Sequence, residues 1–130
     1  MAHYIRFEVF VPVVYKLTSR DSRTGKKETT IHALPEASLL EFVEATRENL
    51  EGITQADPMG PAPFKGWWQR KNQKTIVIDR LTYLFCLAKI HESEKAREFF
   101  AAWKQKLESS LEQQEILVMY FPVQTIGDFF

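Results

Sequence analysis

Residues 64–90 read FKGWWQRKNQKTIVIDRLTYLFCLAKI. Two apolar arms, 64–69 and 75–90, flank the polar stretch Arg70 to Lys74. Asn72 within that stretch suits the left-handed backbone of a tight turn, so the segment predicts a β-hairpin. In its long second arm Ile76, Ile78, Arg80, Thr82, Leu84, Cys86 and Ala88 fall on one side. Val77, Asp79, Leu81, Tyr83, Phe85 and Leu87 fall on the other. The pair Asp79-Arg80 interrupts an otherwise apolar strand, which predicts a bend there, because charges in such a place must be paired or face water.

Working outward, each arm is joined through a helix to a further strand. Upstream, Leu39, Phe42, Val43, Thr46 and Leu50 make one helical stripe that ends near Gly52. Pro35 suits its first turn, where a missing amide hydrogen costs nothing. Before that helix, Ile5, Phe7, Val9 and Val11 alternate with Tyr4, Arg6, Glu8 and Phe10, the two-residue period of a half-buried strand. Pro12 cannot donate to a ladder and predicts an edge or a bulge. Thr18 to Thr30 reads as a loop or hairpin tip returning through a short strand, Glu28 to His32. Gln55 to Pro63, with Pro58, Gly60, Pro61 and Pro63, reads as an irregular crossover. Downstream, Ser93 is expected to cap a helix carrying the stripe Ala96, Phe99, Phe100, Trp103, Leu107 and Leu111. Glu94, Arg97, Glu98, Lys104 and Glu108 fall outside that stripe and read as solvent-facing. Glu115 to Val123 then reads as a strand apolar on both faces.

The order strand, helix, hairpin, helix, strand is β-α-β read twice. It resembles the ferredoxin-like βαββαβ plait, an antiparallel sheet with two helices on one face, and predicts an α+β fold over a single domain, residues 1–130. That architecture hosts enzymes, nucleic-acid binders and regulators alike, so it carries no function by itself.

Composition narrows the classes. The 130 residues contain 17 Lys and Arg against 17 Asp and Glu, so no global field draws the protein to nucleic acid or anionic lipid. No apolar run approaches the ~18 residues that span a bilayer. Arg6 and Glu8 interrupt the apolar N-terminus, which reads as a strand rather than a signal peptide. With one cysteine, Cys86, no intramolecular disulfide forms, and a reducing, cytoplasmic setting is expected.

The chemistry-bearing residues fall into no known catalytic spacing. His91-Glu92 begins like a metalloprotease helix, but Lys95 stands where the second histidine is required. Five glycines are scattered at 25, 52, 60, 66 and 127, so no phosphate-cradling loop exists, and the sequence points to no cofactor and no metal. Asp79 has no second carboxylate with which to share acid and base roles. Cys86 among Leu84, Phe85 and Leu87 reads as a buried hydrophobe. Trp67 and Trp68 beside Arg70 and Lys71 suit base stacking with phosphate contact, but one Trp in the core and the other over an edge or interface, with the basic turn solvated, is the preferred reading. The RNA-recognition octapeptide is absent, because Arg80 to Leu87 would put Thr82 and Leu84 at its aromatic positions.

The sequence is therefore read as that of a soluble, non-catalytic oligomeric or partner-binding domain. With both helices on one sheet face, the other face would carry Phe10, Val14, Leu84, Cys86, Ala88 and one apolar set of the last strand. That is too much apolar surface to leave wet. A homodimer packed sheet to sheet is expected, as in the dimeric α/β-barrel proteins that the architecture resembles, with the tail residues Ile126, Phe129 and Phe130 reaching across. Two alternatives stand beside it. One is a small-molecule binder or cofactor-independent enzyme with an aromatic interface pocket of Trp67, Trp68, Tyr83 and Tyr120, served by Asp79 or His91. The other, less favoured, is a nucleic-acid binder using Trp67, Trp68, Arg70, Lys71 and the Arg20 to Lys27 loop.

Overall fold

The computed structural model describes residues 3–20, 23–50, 52–55, 64–69, 76–111 and 116–127. The expected turn at Asn72, the crossover prolines and the tail residues Phe129 and Phe130 lie outside them. In chain order the elements are β1 (Tyr4–Arg20), β2 (Lys27–Ala33), α1 (Glu36–Leu50), β3 (Thr54–Gln55), β4 (Phe64–Gln69), β5 (Ile76–Lys89), α2 (Ser93–Ser109) and β6 (Leu117–Val123). The fold is α+β, with one antiparallel sheet and two helices.

The long strands β1 and β5 form the spine, paired from Tyr4↔Lys89 to Thr18↔Ile76. Each has its outer edge shared by two shorter strands. Along β1, β6 covers Tyr4 to Phe10 and β2 covers Val14 to Arg20. Along β5, β4 covers Ile76 to Leu81 and β3 covers Leu84 and Phe85. Pro12 falls where β6 has stopped and β2 has not begun. The ladder to β5 also slips there, between Pro12 and Val14, so a residue without an amide hydrogen sits where fewest ladder bonds are asked of it. The bulge expected near Pro12 thus lies in β1, opposite the Leu81–Arg80 step of β5.

Six strands pair, the four expected for a plait together with β2, which contains the short strand expected at Glu28 to His32, and the two-residue β3, which was not expected. β1 runs on through Thr18 instead of ending in a loop, and Thr18 meets Thr29 of β2 across the ladder, hydroxyl to hydroxyl at 3.0 Å. β-branched residues in a paired ribbon hold strand geometry although almost all of β2 is exposed. Gly25, at φ +68°, supplies the left-handed position of the connecting turn.

The core lies between the sheet and the helices. Register places Ile5, Phe7 and Val9 of β1 opposite Ala88, Cys86 and Leu84 of β5, and opposite Pro122, Tyr120 and Val118 of β6. Antiparallel partners share a face, so this is the helix side. Phe100 of α2 stacks on Phe7 at 4.5 Å between centroids, and Phe42 of α1 meets Phe100 at 6.2 Å and Trp103 at 5.5 Å. Buried Thr46 donates its hydroxyl hydrogen to the Phe42 carbonyl at 2.7 Å, which satisfies a polar group inside the apolar stripe of α1.

Two expectations are corrected here. Leu84, Cys86 and Ala88 face the helices and are buried; the open face takes Tyr83, Phe85 and Leu87 instead. Both sides of β5 are apolar, so only its register with β1 decides which is covered. Ser93 does not cap α2. Residues Ile90–Glu92 form a 3-10 turn that runs straight into the helix, and the Ser93 amide donates to the Ile90 carbonyl. Glu92 takes the cap position without a side-chain hydrogen bond.

Candidate functional site

On the face away from the helices, Arg6, Glu8 and Phe10 of β1 stand between Leu87, Phe85 and Tyr83 of β5 and Phe121, Met119 and Leu117 of β6. Alternation along β1 puts two opposite charges and an aromatic ring on this face. The flanking strands then surround them with apolar side chains. Leu117, Met119 and Phe121 are 43%, 39% and 38% exposed, an apolar rank on the outer strand.

At the centre, the charges are tied together. Arg6 Nη2 donates to the Tyr83 hydroxyl at 2.8 Å, and that hydroxyl donates to Glu8 Oε2. The Arg6 and Glu8 side chains pair directly at 3.7 Å. The Arg6 guanidinium lies over the Phe85 ring at 3.9 Å, where ring quadrupole and cation attract. Phe10 flanks Tyr83 at 5.0 Å between centroids. Burial raises the Tyr83 pKa above its ordinary value, and donation to Glu8 raises it further. A phenol so held stays protonated at neutral pH with its hydrogen already committed to a carboxylate, which suits it poorly to proton transfer. The cluster neutralises itself and leaves an apolar surface around a polar centre.

The residues singled out from sequence do not converge. Tyr83 lies on the open face, whereas Tyr120, paired in register with Phe7, lies on the helix side and is exposed; the two do not line one pocket. His91 sits exposed in the 3-10 turn. The backbone of Asp79 is laddered between Tyr15 and Gly66, and Trp67 and Trp68 pair with Ile78 and Val77. Arg70 and Lys71 lie outside the described residues. Register does bring their flanks, Gln69 and Ile76, beside Thr18, at the end of the sheet where β1 turns into β2 through exposed Arg23, Lys26 and Lys27. Arg6, Glu8 and Phe85 were not anticipated. Their signal in sequence was the shared parity of Arg6, Glu8 and Phe10, which becomes a site only once Tyr83 and Phe85 are known to stand opposite.

Among the described residues no group of three or more His, Cys, Asp or Glu side chains is placed to hold a metal ion. None of the described helices is long and apolar enough to cross a membrane. No family model matches the chain, and no curated protein or solved structure matches it either.

Proposed function

We propose that this protein is a non-catalytic, self-associating domain that forms a homodimer through its open sheet face. The observation that carries the reading is the apolar rank Leu117, Met119 and Phe121 beside Phe10, Tyr83, Phe85 and Leu87, with Arg6 and Glu8 at its centre. A contiguous apolar patch on a sheet marks an interaction surface. A two-fold interface must be self-complementary. One arginine next to one glutamate meets that condition, since a two-fold axis beside them brings Arg6 of each copy to Glu8 of the other. The zero net charge adds no long-range repulsion. The ferredoxin-like reading of the fold belongs with this proposal. It draws support from the strand order β6-β1-β5 with β3 and β4 beyond, β2 being an addition at the far end of β1's outer edge.

Light scattering during size-exclusion chromatography is expected to give twice the chain mass at micromolar concentration, and a monomer mass would overturn the proposal. Met119→Arg is the matched variant. Its new charge faces Glu8 across the ladder, a cross-strand pairing that holds the change in fold stability within about 1 kcal/mol, while two arginines buried at a two-fold interface drive the copies apart.

A second reading, nucleic-acid binding, is favoured by the shared sheet end at Thr18, Gln69 and Ile76. The adjoining sequence carries Arg20, Arg23, Lys26 and Lys27 on one connection and Arg70, Lys71 and Lys74 on the other. Binding of a single-stranded oligonucleotide that falls steeply with salt is the expected signature, because phosphate contacts release counterions. Binding that ignores salt, or none, removes it.

A further inference from the structure

On the helix side of the sheet, away from the open face, α2 and β6 diverge over a cleft of about 160 Å³. Its lining has a simple origin. Arg97, Phe100, Ala101 and Lys104 of α2 stand at i, i+3, i+4 and i+7, one stripe of the helix. Val118 and Tyr120 come from the helix side of β6, and Phe7 from β1 behind them. The stripe is apolar in the middle with one cation at either end. Ala101, a small side chain between Arg97 and Lys104, leaves the opening beside Val118 and Tyr120 unfilled.

We infer that this cleft binds a monocyclic aromatic carboxylate, with the ring against Ala101, Val118 and Tyr120 over the edges of buried Phe7 and Phe100, and the carboxylate on Arg97. Three observations select that class. Size comes first: an apolar protein cavity of ~150 Å³ is known to hold one benzene ring. The walls come second, since Tyr120 is exposed and lies 5.6 Å from Phe7 at the cleft floor, and an open aromatic surface receives a further ring in offset or edge contact. Charge comes third. Lys104 gives its charge to Glu108 at 2.6 Å, and the same carboxylate accepts the Ile116 amide hydrogen at 3.0 Å. Arg97 lies 5.8 Å from the Tyr120 ring centroid and has no carboxylate partner among the described residues. The rim thus carries one uncompensated positive charge, which matches a monoanion better than a phosphate dianion. A guanidinium also meets a carboxylate through two parallel hydrogen bonds.

The test is a titration of the full chain with phenylacetate, followed by NMR on the Ala101 and Val118 methyl groups. A ligand of this size in an open cleft is expected to bind with a dissociation constant of ~1 mM or tighter. Arg97→Gln, at an exposed helix position, is expected to weaken binding about tenfold, and phenylacetamide should bind the natural chain about tenfold more weakly than the acid. Ala101→Leu fills the cleft from an exposed helix position and should abolish saturable shifts while the rest of the spectrum stays native. Acetate, a charge without a ring, should leave the methyl groups unmoved. Failure of phenylacetate to give saturable shifts would overturn the inference. So would equal binding of acid and amide unaffected by Arg97→Gln, or acetate reproducing the phenylacetate shifts. The cleft and the open face lie on opposite sides of the sheet, so the outcome is independent of the dimer.

Discussion

Phe7→Ala is expected to destabilise the fold by about 3–5 kcal/mol, the range for removing a large ring from a packed core. Phe7 is 1% exposed and stands where β5, β6 and α2 all meet β1. Cys86 and Tyr120 flank it in the sheet, and the Phe100 ring lies on it at 4.5 Å. Its loss removes burial, leaves a cavity beneath α2, and takes away the stacked partner of Phe100. A domain of this size has about 5–15 kcal/mol of stability in all, so the variant sits near the edge of folding. Urea unfolding followed by circular dichroism measures the effect as a fall in midpoint with an unchanged slope. Phe10→Ala supplies the comparison. Phe10 is three residues further along the same strand but on the open face, half-buried, and its truncation should cost the monomer well under half as much. Equal costs would contradict the assignment of faces.

That contrast marks what could be read from the chain and what could not. The alternation in β1 distinguishes Phe7 from Phe10 without a structure, because Arg6 and Glu8 make one parity unsuited to a core. The stripes of α1 and α2 are equally plain, since Phe42, Thr46 and Leu50, then Ala96, Phe100 and Leu107, recur at helical spacing and are buried. β5 carries no such contrast. Cys86 and Phe85 are both apolar, and only pairing with Phe7 and Glu8 tells them apart. β3 escaped for a different reason: it is an exposed strand held by ladder bonds and not by burial, so hydrophobic periodicity has nothing to report, and the equally exposed β2 was legible only as a return from the polar loop. The central cluster of the open face joins Tyr83 to Glu8, 75 residues away, a separation that no local pattern spans. Arg97 and Lys104 looked like ordinary solvent-facing charges until β6 was placed beside them.

Cys86 gives the second large effect, and it appears at high pH. The thiol is 4% exposed, and burial pushes its pKa up to about 12, from an ordinary value of 9.0. The folded chain therefore holds this proton more tightly than the unfolded chain does. Below pH 9 both states keep it, and the contribution to stability is fully present. Between about pH 9 and pH 12 the unfolded chain ionises while the folded chain does not, so stability falls as pH rises, by up to about 1.4 kcal/mol per pH unit. Across that window the loss is roughly 4 kcal/mol, comparable with deleting the Phe7 ring. Tyr83, also raised, steepens the decline at the upper end. Urea midpoints measured at steps through this range should drop for the natural chain. With Cys86→Ala they should drop far less, since alanine has no proton to lose. The same burial makes the thiol inert: at pH 8 a disulfide reagent should modify Cys86 only as fast as the chain opens, and rapidly in denaturant. Prompt labelling of the native protein, or an alkaline profile that Cys86→Ala leaves unchanged, would place the thiol outside the core and contradict the register of β5 against β1.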